Sequence, residues 1–477
     1  MQRGPVLTGP PNKLGKTPNK LGSPSQIPGM MEVMFRNKKV SVIGLGKTGV
    51  SAANLLSELG ARVFVSDISP ENEIAGILKT LKNDISYETG KHTERVLDAE
   101  LIIRSPGAPS DLPILTNAKE KQIPVWSELE LATRLINPKL LIAITGTNGK
   151  TTTTLLTGEI LKNAGLKTIV AGNIGRPLSD FVHEIDSSTV VVLEVSSYQL
   201  ENVIDFKPDI CCILNIKPDH IEHHKTMENY IEAKTHIFKN QESRDYCILN
   251  YNDDISRNRI EKNGGTIVFF SKDSVLKNGI YCINGTFFGN LKSQDWTFTP
   301  KLIIPGEHNV ENALASSAIA ALVGVPKNVI ESTLNNFRGV EHRLEFVREL
   351  NRVKYINDSK STNVDSTVVA LKSFNSPIVL IMGGRDKGFP YKPLLGLVKD
   401  KVRLLLLIGE SAEKIHKELN NSTEIIHCGD LKTAVQKSYE KSGPGDIVLF
   451  SPGGSSFDQF KNFEDRGNRF KEYINCL

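Results

Sequence analysis

No apolar stretch of this chain approaches the roughly 18 residues that a membrane-spanning helix requires. Runs such as 190–193 and 404–408 are strand-length and read as buried strands. Cysteine is sparse: Cys211, Cys212, Cys247, Cys282, Cys428 and Cys476 show no CxxC spacing and mostly sit in apolar runs. That pattern argues against a zinc site or a disulfide scaffold and for buried thiols in a reducing compartment, predicting a cytoplasmic protein. Acidic residues are missing from the first 30 positions, where Arg3, Lys13, Lys16 and Lys20 supply four of the 58 basic residues. Those four account for the whole net charge of +4, so the remainder is neutral and offers no electrostatic case for nucleic acid or an anionic membrane. The same 30 residues lack the apolar core of a signal peptide and the amphipathic pattern of a transit peptide. Their Pro/Gly content and the near repeat of Pro-Asn-Lys-Leu-Gly at 11 and 18 predict a disordered tail, followed by Met30, Met31 and Met34.

What the chain has is a globular composition, 39% hydrophobic and 23% charged, over 477 residues, enough for about three domains. From Lys39 onward strands and helices alternate. Strands are predicted at 39–43, 62–66 and 101–104, with a helix at 50–58. A second α/β unit opens after Asn137-Pro138 with a strand at 140–145, a glycine loop and a helix through Lys162. Strands at 190–194 and 210–215 follow, then short β-rich runs over 246–304 that suggest a small antiparallel sheet, then a helix at 310–322. A third unit beyond Phe337-Arg338-Gly339 holds strands at 377–382, 402–408 and 446–450. The expected division is a tail at 1–30 and domains at 31–137, 138–338 and 339–477. Repeated βα units imply parallel sheets with ligands at the carboxyl ends of the strands.

Three motif groups fall at such ends. Gly44-Leu-Gly46-Lys-Thr-Gly49 fits GxGxxG between a strand and a helix, with Asp67 at the end of the next strand. It suits a diphosphate at a helix start, although a ligand-free tight turn would look the same. In Ile144-Thr145-Gly146-Thr147-Asn148-Gly149-Lys150-Thr151 the first glycine of the strict P-loop is replaced by isoleucine, but strand, glycine loop, Lys-Thr and helix remain. Loop amides can cradle phosphates, Lys150 can neutralise β/γ oxygens and Thr151 can ligate Mg²⁺. Glu194 ends an all-apolar strand, where a carboxylate is costly unless paired or metal-bound. His220 and Lys234, read alone, are an exposed loop histidine and a solvated helix lysine. The third unit adds Asn357-Asp358-Ser-Lys360-Ser-Thr362, Gly383-Gly-Arg-Asp-Lys387-Gly and Ser451-Pro-Gly-Gly-Ser-Ser456-Phe457, polar tips that suggest an anionic ligand.

Together these residues resemble the Mur ligase family from about Met31 to Leu477. Gly146-Thr-Asn-Gly-Lys-Thr151 carries the superfamily, and Glu194-Val-Ser-Ser-Tyr-Gln-Leu-Glu201 with segments 357–363 and 451–468 resembles the branch that adds D-glutamate. The resemblance implies an α/β fold of three domains: an N-terminal Rossmann-like domain, a central P-loop-type parallel sheet with a small antiparallel sheet, and a C-terminal Rossmann-like domain. It implies a monomeric, ATP-dependent ligase that joins D-glutamate to UDP-N-acetylmuramoyl-L-alanine through an acyl phosphate, with two Mg²⁺ ions. Thr151 and Glu194 match the first metal site, His220 the second, and Lys234 a carbamylated lysine that also ligates metal. Lys150, His220 and Lys234 match catalytic positions. ATP would meet Gly146, Thr147, Asn148, Gly149, Lys150, Thr151, Thr152, Asn309, Asn312, Arg343 and Asp358, with His342 beside Arg343. Gly46, Lys47, Thr48, Asp67, Ser105 and Asn173 match the UDP-sugar side. Lys360, Thr362, Lys387, Ser456, Phe457 and Phe463 match the D-glutamate pocket.

Departures from the family pattern occur at Ile68-Ser69, where many relatives carry a hydroxyl residue and arginine beside the uracil, and at Glu222-His223 after the metal histidine. A nicotinamide dehydrogenase would use Gly44–Gly49 and Asp67 but would leave the P-loop and Glu194 unexplained. A non-catalytic nucleotide-binding module would need no lysine-lined third domain.

Overall fold

Strand-length apolar runs closed by glycine turns build three sheets in a computed structural model that describes residues 33–258, 264–291, 294–304, 306–386, 388 and 390–477. The expectations for the tail at 1–30 and for Lys387 lie outside the described residues.

The first sheet contains β1 (Lys39–Ile43), β2 (Arg62–Asp67), β3 (Ser86–Thr89), β4 (Leu101–Arg104) and β5 (Val125–Ser127), all parallel, in the order β3-β2-β1-β4-β5. Helix α1 (Lys47–Glu58) follows β1 through the glycine loop. Residues 33–139 form one compact unit with two later stretches, Arg176–Ser188 and Glu201–Phe206. Buried carboxylates hold those stretches. Glu130 accepts the consecutive N–H groups of Ile204, Asp205 and Phe206 at 2.9, 3.0 and 3.1 Å. Glu128 accepts both the N–H and the hydroxyl of Ser179, at 2.8 and 2.7 Å.

The other unit carries two sheets. One is nine-stranded: β6 (Leu140–Thr145), β7 (Thr168–Gly172), β8 (Val190–Glu194), β9 (Ile210–Ile213), β10 (Tyr246–Asn250), β11 (Thr266–Ser271), β12 (Gly279–Ile283), β13 (Thr286–Leu291) and β14 (Gln294–Phe298), ordered β14-β13-β12-β11-β10-β9-β6-β8-β7. The β-rich runs after residue 246 therefore extend the central sheet. β10, β11 and β12 join it in parallel, and antiparallel pairing is confined to β12-β13-β14 at its edge. Helices α2 (Lys150–Asn163), α3 (Met227–Thr235) and α4 (Glu307–Val323) belong to the same unit. Leu156, Ile160 and Leu161 of α2 pack with Leu314, Ala318 and Ile319 of α4 over buried Ile142 and Val192. Each such leucine, isoleucine or valine side chain contributes on the order of 1.5–3 kcal/mol by leaving water. That packing fixes the first turn of α2 at the end of β6.

The third sheet orders β15 (Glu345–Leu350), β16 (Val353–Asn357), β17 (Ile378–Gly383), β18 (Val402–Ile408), β19 (Glu424–Gly429) and β20 (Ile447–Phe450) as β15-β16-β20-β17-β18-β19, parallel except for β15. Cores lie on both faces, which explains the unbroken apolar runs of β17 and β18. The last helix, α5 (Phe463–Asn475), packs through Phe470 and Ile474. Cys211, Cys212, Cys247 and Cys282 are buried, Cys428 is half-buried and Cys476 exposed, and all six are free. No helix among the described residues is long and apolar enough to cross a membrane.

Candidate active site

The loop between β6 and α2 turns on Gly149, which sits at φ 86° and would bring a Cβ within 2.3 Å of Asn312 Oδ1. Only glycine fits such a left-handed, crowded position. The same Asn312 oxygen accepts from Thr153 Oγ1 at 3.2 Å, and Asn312 Nδ2 donates to Asn309 Oδ1 at 2.9 Å. The two asparagines expected near the nucleotide thus sit buried on the first turns of α4 against the loop. Asn215, which no sequence motif singles out, braces the other side. Its carbonyl accepts Thr147 N–H at 2.9 Å, its Oδ1 accepts Asn148 N–H at 2.9 Å, and its amide donates to Asn148 O at 3.1 Å. Thr147 Oγ1 also pairs with the Tyr230 hydroxyl at 2.9 Å. Thr151 and Thr152 are buried in the first turn of α2.

Lys150 Nζ folds back on its own loop, donating to the carbonyls of Gly146 and Thr147, both at 2.8 Å. Burial pushes its pKa down; Glu194 and Asp219 pull it back up, while Arg343 and Lys360 push it further down. Five charged groups, from β8, the start of α2, the loop after β9 and the third-sheet region, therefore share one neighbourhood. Glu194 is buried, with Oε1 accepting from Asn173 Nδ2 at 2.7 Å and Oε2 without a hydrogen-bond partner among the described residues. An orphaned buried carboxylate oxygen costs about 1–3 kcal/mol or more unless a cation takes it. A bare carboxylate oxygen is a donor of the hard type that magnesium prefers. Asn173, expected on the UDP-sugar side, here orients Glu194.

His220 follows the site at φ 53°, held by Asp219, whose Oδ1 accepts its N–H at 2.9 Å. Burial lowers its pKa, Asp219 opposes that, and Lys150 and Lys234 add to it. Lys234 on α3 is not the solvated lysine that its helix position suggests. It is 1% exposed, donates to Gly146 O at 2.9 Å, and lies 4.7 Å from the centre of the Tyr230 ring. Burial first, and Lys150 second, push its pKa well below the ordinary lysine value, with Asp219 opposing.

Just before β15, His342 and Leu344 flank Arg343 with φ values of 64° and 46°, a strained turn. Lys360 follows the Asp358 turn, and burial and Arg343 push its pKa down while Glu194 raises it. Asp358 is fully engaged internally: Oδ2 accepts from the Ser361 and Ser451 hydroxyls, and Oδ1 accepts Leu344 N–H at 3.1 Å. Burial pushes its pKa up to about 6. Thr362 is half-buried, Ser456 buried and Phe457 exposed, while the Phe463 ring meets His342 edge-on at 6.2 Å. Sequence reasoning missed Arg466. It is buried on α5, donates to Ser359 Oγ, Ser359 O and Gly454 O at 3.0, 2.8 and 3.1 Å, and so ties two of the polar tips together. Its polar helix gave no sign of burial.

In the first unit, Gly44 turns at φ 90°, and a Cβ on Gly49 would lie 1.9 Å from Gly44 O. The loop and helix start can therefore approach only because both are glycine. Asp67 Oδ2 accepts Leu45 N–H at 2.6 Å and Oδ1 accepts Ser69 N–H at 2.8 Å. Thr48 and Ser105 hydroxyls pair at 3.0 Å beside Gly46 and Lys47. The Gly44–Gly49 loop presents amides at a helix N-terminus with no side-chain cap.

Three family models match the chain: the Mur ligase MurD-like N-terminal domain at residues 38–127, the Mur ligase middle domain at 144–320, and the Mur ligase glutamate ligase domain at 342–454. A UDP-N-acetylmuramoylalanine–D-glutamate ligase of Clostridioides difficile (strain 630) is 43% identical over 448 residues, covering 93% of this chain and 99% of that protein. The ligase of the same name from Geotalea uraniireducens (strain Rf4) is 44% identical over 444 residues, 92% and 98% of the two chains. Among solved structures, a UDP-N-acetylmuramate-alanine ligase of Thermotoga maritima aligns with a TM-score of 0.57 at 21% identity, over 92% of this chain and all of that one. MurF ligase of Thermotoga maritima in complex with ADP aligns with a TM-score of 0.54 at 17% identity, over 93% and 97%. Both share the fold.

Proposed function

The chain belongs to the Mur ligase family of ATP-dependent, amide-bond-forming enzymes, and from that premise we propose that it joins D-glutamate to UDP-N-acetylmuramoyl-L-alanine in peptidoglycan precursor synthesis, releasing ADP and phosphate. One observation carries the reading: the buried Glu194 carboxylate and the Lys150 and Lys234 amines, both bonded to Gly146 O, are gathered on the glycine loop, with Arg343 and Lys360 near enough to Lys150 to depress its pKa. Phosphoryl transfer is mainly positioning and charge neutralisation, and this is where both are available.

In the proposed reaction, the alanyl carboxylate attacks the γ-phosphorus of ATP, ADP leaves, and an acyl phosphate forms. Loop amides of Gly146–Gly149 with Lys150, Thr151 and Thr152 bind the phosphates, and Asn309, Asn312, Arg343 and Asp358 line the nucleotide side. The D-glutamate amine then attacks the acyl carbon, a tetrahedral intermediate forms, and phosphate leaves. Lys360, Thr362, Lys387, Ser456, Phe457 and Phe463 hold the D-glutamate. Gly46, Lys47, Thr48, Asp67, Ser105 and Asn173 serve the UDP-sugar, with Asn173 acting through Glu194. Magnesium fits the donor set: Thr151 and the orphaned Glu194 oxygen would hold one ion, and His220 with a carbamylated Lys234 a second. Bound there, magnesium would offset phosphate charge. Carbamylation joins CO₂ to a neutral amine with loss of a proton, and the buried Lys234 amine favours that form.

The proposed domains are 31–137, 138–338 and 339–477, supported by one sheet in each. We further propose a cytoplasmic monomer. The test is an ADP-release assay with UDP-N-acetylmuramoyl-L-alanine and a panel of D- and L-amino acids. D-Glutamate alone should support turnover, and turnover with a different amino acid instead would reassign the third domain's specificity.

A further inference from the structure

A polar relay at the carboxyl ends of β2 and β3 is used by none of the roles above. Glu88 Oε1 accepts from Thr93 N at 2.9 Å and from Ser66 Oγ at 2.7 Å, and Oε2 accepts from Thr93 Oγ1 at 2.6 Å. His92 Nδ1 lies 2.7 Å from the same Ser66 Oγ, which belongs to a fully buried side chain. A carboxylate only accepts, so the single Ser66 proton goes to Glu88. The Ser66 oxygen must then accept, which makes His92 Nδ1 the donor. The order His92 Nδ1–H to Ser66 Oγ–H to Glu88 fixes the tautomer and leaves Nε2 as a bare acceptor. Burial lowers the His92 pKa, against Asp67 and Glu88, and so favours this neutral ring. Nε2 makes no hydrogen bond among the described residues.

The strand order β3-β2-β1 gives that acceptor a meaning. The Gly44–Gly49 loop at the end of β1 suits a diphosphate. Asp67, at the end of β2, stands one strand spacing of roughly 4.8 Å away, where a ribose would lie. A base reaches one spacing further, to the end of β3, where His92 stands. Gly90 N–H donates to Ser69 O at 3.0 Å, so the His92 loop is tied to the turn after Asp67. We propose that His92 is a specificity-determining residue, its Nε2 accepting a hydrogen bond from the N3–H of a uracil ring and so selecting uridine over cytidine nucleotides. Cytosine N3 carries a lone pair and would face the acceptor with another. The proposal rests on the reading of the Gly44–Gly49 loop as a UDP-sugar site.

Calorimetry on the full chain with UDP, CDP and 3-methyluridine diphosphate tests it, using wild type, His92→Phe and His92→Gln. Wild type should bind UDP more tightly than CDP, and N3-methylation should weaken binding roughly five- to tenfold, the worth of one hydrogen bond. His92→Phe should weaken UDP by a similar factor and leave CDP unchanged. His92→Gln, whose carbonyl can accept, should recover part of the loss. In turnover, His92→Phe should raise KM for the UDP-sugar with kcat unchanged. Equal losses for UDP and CDP, an unchanged UDP/CDP ratio in His92→Phe, or full binding of the N3-methylated nucleotide by wild type would each overturn the proposal. The last comparison needs no variant to fold. Wild type that binds no uridine nucleotide at all would instead overturn the site reading, and this proposal with it.

Discussion

Lys150 and Lys234 both donate to Gly146 O, yet their expected roles are opposite, one as a cation and the other as an anion precursor. Lys150→Ala should abolish acyl-phosphate formation, a loss on the order of 10³-fold. UDP-sugar binding should stay close to wild type, since the Gly44–Gly49 loop belongs to the other unit. Reductive trapping of an acyl phosphate at wild-type levels in the variant would refute the role. Lys234→Ala should lose activity on the order of 10²-fold, as loss of a metal-supporting group does. Added formate or acetate should restore part of the rate by replacing the missing carboxylate, whereas Lys234→Arg should resist rescue because its cation fills the space. Near-normal activity of Lys234→Ala in bicarbonate-free buffer would make Lys234 a bystander. At this scale the sequence was most legible where function is local. Lys150 and Thr151 follow their glycine loop directly, and Glu194 stands out as an acid closing an apolar strand. Asn215, Tyr230 and Arg466 were invisible because each is fixed by a distant partner, Asn148, Thr147 and Ser359 respectively, 67, 83 and 107 residues away along the chain.

Elements explain why the third-sheet tips hold their shape. Arg466 on α5 reaches the loop after β16 through Ser359 and the loop after β20 through Gly454. Arg466→Met keeps the bulk of the side chain but strands buried carbonyl oxygens, each costing about 1–3 kcal/mol. The expected outcome is a melting temperature lower by several degrees and a KM for D-glutamate raised more than the KM for ATP. Equal changes in both would show a general loss of packing. Strands with both faces covered, such as β8 and β17, were legible because their apolar runs have no competing period. The run from β10 to β14 was less so. Its short β-rich runs suggest a small antiparallel sheet, and only the parallel pairing of β10 with β9 reveals that it continues the central one.

Over the whole molecule the charge is nearly balanced, and pH dependence resides in a few buried acids. Asp358 is the clearest, with burial holding its pKa near 6 against 3.8 ordinarily. Between those values the folded protein keeps a proton that the unfolded chain has released. Stability from this group is therefore fully present below about pH 4 and is lost as pH rises through 6. The full cost at neutral pH is about 3 kcal/mol, at 1.36 kcal/mol for each tenfold shift in proton affinity. Asp358→Asn removes the titration but keeps one acceptor for the Ser361 or Ser451 hydroxyl. The variant should be the less stable protein at pH 4, where the wild-type acid is already neutral and fully bonded. As pH rises to 7.5, its disadvantage should shrink by up to about 3 kcal/mol, and it can become the more stable of the two. Urea unfolding of both proteins across that range measures the difference directly, and a gap that stays constant with pH would mean that Asp358 is ionised in the folded state throughout.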